Sequence, residues 1–179
     1  TTAGFYAHNK TSVLSNVDIS FGGRLQRNMV KATDAYNASA DPNNGSYGVS
    51  AKAPDFDGGE WQYAAHVGYE YRISPAFALC GRAARAFRLP NADERVGAGN
   101  PFGLTAPATF DLKTQTSYDV ENGIRLNWGR FNLETSVYLM NLENEVHYIP
   151  ALGQDVNLDP TQRKGWETGA SYQAANDVR

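Results

Sequence analysis

Apolar and polar residues alternate with a period of two over long stretches of this chain. In 61–73 the odd positions are Trp61, Tyr63, Ala65, Val67, Tyr69, Tyr71 and Ile73, while the even ones are Gln62, Ala64, His66, Gly68, Glu70 and Arg72. Segments 116–128 and 131–140 repeat the pattern, and weaker copies lie at 2–9, 16–27, 76–88 and 165–174. Successive side chains of a strand point to opposite faces, so each segment reads as a β-strand with one apolar and one polar face. At ~3.3 Å per residue, the stretch 61–73 spans roughly 40 Å. Strands of water-soluble domains are usually nearer six residues. The pattern predicts an antiparallel up-and-down meander of about seven long strands, an all-β fold.

The connections differ in length from one end of the strands to the other. Ser74-Pro75 and Gly129-Arg130 each fit a tight hairpin, and 10–15 makes a third short connection. The other connections, 28–60, 89–113 and 143–164, are long and rich in Asn, Asp, Gly, Ala and Pro. Loops beyond ~15 residues are uncommon in compact domains and usually carry function. Short turns at one end, long loops at the other and long alternating strands between them describe a transmembrane β-barrel, with the long loops 28–60, 89–113 and 143–164 expected outside the cell. Aromatic residues at the strand ends fit its two interfacial girdles: Tyr69, Tyr71, Phe77, Trp128 and Phe131 toward the short turns, and Trp61, Phe87 and Trp166 toward the long loops. The alternative is a β-sandwich whose aromatics form a core, but sandwich loops do not sort by end. Bacterial barrels have at least eight strands, in even number. An open sheet would leave unpaired edges in lipid. The seven strands of 1–179 are therefore expected to be one part of a larger barrel.

Composition changes what this implies about partners. The chain has 179 residues, with 16 Lys and Arg against 19 Asp and Glu, a net charge of -3 and no basic block. Nucleic acid needs clustered cations, so it is not an expected partner. The mean hydropathy of -0.50 excludes membrane helices but not a barrel, because alternation averages a lipid face with a wet one. Cys80 is the single cysteine, which excludes an intrachain disulfide framework. No nucleophile elbow, phosphate-binding glycine loop or zinc-protease motif is present, so the sequence reads as no enzyme and calls for no cofactor and no resident metal.

Four weak motifs in order carry a family resemblance over roughly 85–170. Phe87-Arg88-Leu89-Pro90-Asn91-Ala92-Asp93-Glu94 resembles the "FRAP…E" signature of TonB-dependent receptors, the plugged outer-membrane transporters of Gram-negative bacteria. Asp111-Leu112-Lys113-Thr114-Gln115-Thr116-Ser117 resembles that family's "NPDLKPETS" box, with Thr109-Phe110 in place of Asn-Pro, and Glu121-Asn122-Gly123 follows as its "E-x-G". The stretch from Tyr138 to Val146 is similar to "YFyndikdxI", and Asn157 with Arg163-Lys164-Gly165-Trp166-Glu167 to "N…rrGvE". The resemblance implies a plugged barrel of about 22 strands, with the plug and the rest of the barrel lying outside this chain. It further implies location in the outer membrane, in contact with its lipid. Energised uptake would run through an inner-membrane energy-coupling protein that engages the missing plug. The cargo implied is a ferric siderophore or similar metal complex, the alternatives being cobalamin, another metal complex or a glycan. From a different class, the alternative is a secreted β-sandwich carbohydrate-binding module.

Candidate residues divide into two groups. The motif residues Phe87, Arg88, Pro90, Glu94, Asp111, Leu112, Gly165 and Glu167 are expected to be structural, with the first four forming a corner where strand becomes loop. Ligand contact is expected of Tyr36, Tyr47 and Tyr148 in the long loops, with His147, and of Arg82 and Arg88 on the polar face. Arg72, Arg82, Arg88 and Arg125 share that face with Glu70, Glu121 and Glu134. They form either a track for an anionic chelate or a cross-strand ion-pair network that holds the strands and the plug. His8 and His66 share the same face and are expected simply to line a wet wall. The stretch 91–110 holds no histidine, whereas haem receptors of the family carry one there, so haem is not the expected cargo.

Overall fold

The computed structural model describes residues 1–33, 55–96, 110–151 and 154–174. Nine strands and one short helix follow each other among the described residues: β1 Thr2–Leu14, β2 Val17–Ala32, β3 Phe56–Ser74, β4 Phe77–Arg88, α1 Ala92–Val96, β5 Gln115–Trp128, β6 Phe131–Glu143, β7 Val146–Ile149, β8 Gln154–Asn157 and β9 Thr161–Tyr172. Seven of them form one sheet in the order β1-β2-β3-β4-β5-β6-β9, every neighbouring pair antiparallel. The pair β7–β8 is a separate two-stranded hairpin set between β6 and β9.

The predicted meander is therefore present, and the strands run further than the alternation alone suggested. β1 continues to Leu14, so the first turn is only Ser15-Asn16, and β2 and β3 extend into the expected loop 28–60. β9 begins at Thr161 rather than 165, which sets Trp166 opposite Val137 in mid-strand instead of at the long-loop end. The β5–β6 turn places Gly129 at φ +60°, the conformation that a two-residue hairpin needs at its first central position. Register shifts between Ser12 and Leu14, and between Arg72 and Ser74, mark bulges beside the other two tight turns.

The sheet is inside-out for a water-soluble protein. In β3 exposure alternates strictly, and it is the apolar parity that is exposed: Trp61, Tyr63, Val67, Tyr69, Tyr71 and Ile73. Among the described residues the buried apolar side chains are few: Ala78, Pro90, Phe110, Leu112 and Leu142. No second layer covers the described sheet, so the sandwich alternative has no core to stand on.

Two glycines are required by close approach. A Cβ on Gly165 would lie 2.4 Å from the Tyr138 ring, its register partner, and one on Gly81 would lie 2.5 Å from the ring of Tyr69, whose hydroxyl donates to Asn122 Oδ1 at 3.0 Å. Each ring covers the gap that its glycine leaves in the sheet. Gly165→Ala is expected to displace Tyr138 and cost about 1 kcal/mol. In a double-mutant cycle with Tyr138→Ala, monitored by thermal unfolding of the folded barrel, the pair should be less than additive. Additive losses would refute the contact.

Candidate functional site

Register resolves the polar face into rows that cross the strands. One row reads Lys10, Ser20, Gly68, Arg82, Glu121, Tyr138, Gly165, and the next toward the tight turns reads Ser12, Asp18, Glu70, Cys80, Gly123, Ser136, Glu167. Beyond it lie Arg72, Ala78, Arg125, Glu134 and Gly169. Opposite charges alternate across these rows and join into a chain. Arg72 donates to Asp18 through both terminal nitrogens, at 2.7 and 3.2 Å, and to Glu70 at 3.2 Å. Arg125 donates to Glu70 at 2.9 Å and to Glu134 at 3.3 Å. Ser12 donates to Asp18 at 2.6 Å, and Lys10 stands 3.5 Å from the same carboxylate. Five strands are cross-linked in this way near their tight-turn ends.

Arg82, expected to meet a ligand, donates to Asp119 at 2.9 Å. Sequence reasoning singled out Glu121 on that strand and missed Asp18 and Asp119, both buried acids of the network. Glu121 and Glu167 instead face a concavity of about 600 Å³, lined also by Cys80, Arg82, Arg125 and Glu134. Cys80 thus sits where its parity predicts. A membrane-impermeant maleimide is expected to label it from the lumen once the plug is removed, and an unreactive thiol in the unplugged barrel would refute this register.

The motif residues build two joints. In the first, Asn91 Oδ1 accepts from the Glu94 N–H at 2.8 Å while Glu94 Oε2 accepts from the Asn91 N–H at 2.8 Å, a reciprocal cap at the start of α1. Arg88 then holds both Glu94 oxygens, at 2.8 and 3.0 Å, tying the end of β4 to the helix. Pro90 is buried beneath this corner, and Phe87 points to the apolar face. In the second joint, Asn157 Oδ1 accepts from the Lys113 N–H at 2.8 Å, and its Nδ2 donates to Lys113 O at 3.1 Å and to Asn144 O at 2.9 Å. One side chain staples the Asp111-Leu112-Lys113 box to both ends of the hairpin insertion, while Leu112 is buried and Asp111 exposed. Arg95, also buried, donates to Phe110 O and leaves its Nε without a partner among the described residues. Burial lowers the pKa of its guanidinium, while Glu60, Asp111 and Glu94 oppose that shift. Burial, and then the Glu94 carboxylate, push Asp155 of β8 above the usual carboxylate range.

His147 and Tyr148 are exposed on β7, away from Arg82, and Arg88 is committed to Glu94. Tyr36 and Tyr47 lie outside the described residues. Among the described residues no group of three or more His, Cys, Asp or Glu is placed to hold a metal ion. The structure gathers the charged residues into a wall and sets His147 and Tyr148 on the β7–β8 hairpin.

A long-stranded antiparallel sheet with an exposed apolar face and a charged, hollowed opposite face defines the wall of a membrane-spanning β-barrel, apolar side to lipid and polar side to the lumen. The family model "TonB dependent receptor-like, beta-barrel" matches residues 1–177, and the chain belongs to that family of the Gram-negative outer membrane. Comparison with curated protein sequences gives no match. Solved structures share the fold. The copper transporter OprC superposes with a TM-score of 0.74 at 20% identity, over 98% of this chain and 27% of that one. The ferric-catecholate import receptor Fiu of E. coli K12 gives 0.61 at 18%, over 98% and 26%. The Serratia marcescens hemophore receptor HasR gives 0.70 at 16%, over 97% and 32%. The chain spans about a quarter to a third of these receptors.

Proposed function

We propose that the chain is one part of the wall of an energy-coupled receptor that imports a ferric siderophore, with the long connections 28–60, 89–113 and 143–164 on the outside of the cell. Family membership carries the transport half of this reading. Related folds are named as a copper transporter, a ferric-catecholate import receptor and a hemophore receptor in complex with its hemophore and haem, which supports a metal-bearing cargo. In this reading Tyr36, Tyr47, His147 and Tyr148 contact the cargo from the loops, and Arg82 meets its anionic groups from the wall. The Arg88–Glu94 pair and the Asn157 staple support the structural reading of the motif residues, since the hydrogen-bonding groups named above are spent on neighbouring chain. The motif residues then hold the loops, and cargo choice falls to the loops themselves.

The test is growth under iron limitation. A Gram-negative strain stripped of its own siderophore receptors and supplied with the complete receptor is expected to grow on a ferric siderophore, and to stop when the energy-coupling protein is deleted. Growth that depends on the receptor for cobalamin, copper or a glycan, and on no ferric siderophore, would overturn the cargo while leaving the family intact.

A further inference from the structure

His8 on β1, Gly22 on β2 and His66 on β3 stand in one row of the lumenal face. Across the glycine the two imidazoles stack, ring centroids 5.3 Å apart and planes inclined by 29°. Gly22 makes the approach possible, because a Cβ there would lie 2.6 Å from His66 Cε1 and 3.2 Å from His8 Cδ2. Adjacent strands are ~4.8 Å apart, which puts the two histidine backbones roughly 10 Å apart. Two imidazoles that reach inward from such a span can ligate one ion at ~2.0 Å each after a modest ring rotation.

The surroundings narrow the ligand. The pair opens on a concavity of about 530 Å³ lined also by Tyr6, Ser20, Arg24, Ala64, Arg82 and Ala84. Arg82 is neutralised by Asp119, whereas Arg24 has no carboxylate partner among the described residues. Tyr69 over Gly81 and Tyr138 over Gly165 show that one ring suffices to cover a sheet glycine. Here two rings converge, and both carry ligating nitrogens. Imidazole suits copper, nickel and zinc rather than calcium or magnesium. The unneutralised guanidinium disfavours a bare cation and matches carboxylate groups brought by a chelator.

We propose that His8 and His66 form a bis-imidazole site on the lumenal wall for a divalent transition metal held in an anionic chelate with two open coordination positions. The protein supplies two ligands, and the chelate supplies the rest. The site does not depend on the cargo proposed above. Receptor-dependent growth on a ferric siderophore can succeed where this site fails, and the converse, so the two readings fall separately.

The probe is copper(II)–nitrilotriacetate, an anionic chelate with open positions, titrated into the complete receptor in detergent and followed by electron paramagnetic resonance. Saturable binding with hyperfine structure from two imidazole nitrogens is expected. His8→Gln and His66→Gln should each weaken it at least tenfold. Gly22→Val should do the same while keeping both histidines, because it wedges the rings apart. Arg24→Gln should weaken the chelate but not free copper(II). Heat-modifiable mobility on a gel establishes which variants are folded, and either histidine variant alone carries the test. Absence of binding in the wild type would overturn the proposal, as would binding indifferent to the histidine variants or to Gly22→Val. Free copper(II) bound as tightly as the chelate would overturn the chelate assignment.

Discussion

Refolded from denaturant into buffer without detergent, the chain is expected to aggregate, and to recover strand structure only in micelles. The expectation follows from where its apolar area lies. On the lipid side Phe21, Leu25, Trp61, Tyr63, Val67, Tyr69, Val120, Trp128, Val137 and Trp166 are all exposed, the last 74%. A contiguous apolar patch on a soluble monomer rarely exceeds a few hundred Å². This one draws on β2, β3, β5, β6 and β9. Folding in water gains hydrophobic free energy only by removing such area from solvent, and the few buried apolar side chains among the described residues cannot supply a core. The edges add a second liability. β1 and β9 each present a free row of backbone donors and acceptors, which pair readily with another copy. In micelles the same edges predict oligomers. Light scattering and circular dichroism with and without detergent decide the matter. A cooperative melt of a detergent-free monomer would return the chain to the sandwich reading.

What the sequence made legible follows from how local each feature is. Alternation in β3, β5 and β6 is written in consecutive residues, so strand type, face and the turns near 74–76 and 129–130 could be read directly. Lumenal parity was equally local, and Arg72, Glu70, Arg125 and Glu134 fell into one network as that parity allowed. Partners across strands were not local. That Arg82 takes Asp119 rather than Glu121, or that His8 meets His66, depends on the register of strands far apart in the chain, which the pattern of one strand does not contain. Counting back from the tight turns through Gly22 and His66 would have supplied the signal. The loop motifs failed differently. Helix α1 and the hairpin β7–β8 are too short for periodicity to detect, and the role of Asn157 lies in three bonds to residues at 113 and 144. Its motif marked the position, and only coordinates show the staple.

Val120→Arg is expected to destabilise the folded barrel by about 2–4 kcal/mol, the cost of a cation on the lipid face near mid-membrane. Val120 is 50% exposed and stands in the row Asn9, Phe21, Val67, Ala83, Val120, Leu139, Lys164, where its two cross-strand neighbours, Ala83 and Leu139, offer neither a charge nor a side-chain hydrogen bond. The sheet itself gives the contrast. Ser136 lies on the opposite face, where it pairs with Gly123 and Glu167 and borders the charged concavity. Ser136→Arg puts the same guanidinium beside carboxylates and water, so its effect should stay within about 0.5 kcal/mol. The comparison holds charge and size fixed and changes only the face. It therefore separates a membrane wall from a soluble sheet, in which neither face would penalise an exposed arginine so heavily. Denaturant titration of the complete receptor in lipid bilayers measures both substitutions. If Ser136→Arg costs as much as Val120→Arg, the assignment of lipid and lumenal faces is wrong. If Val120→Arg costs nothing, no lipid lies against that row, because an arginine with only hydrocarbon around it has no means of recovering its hydration.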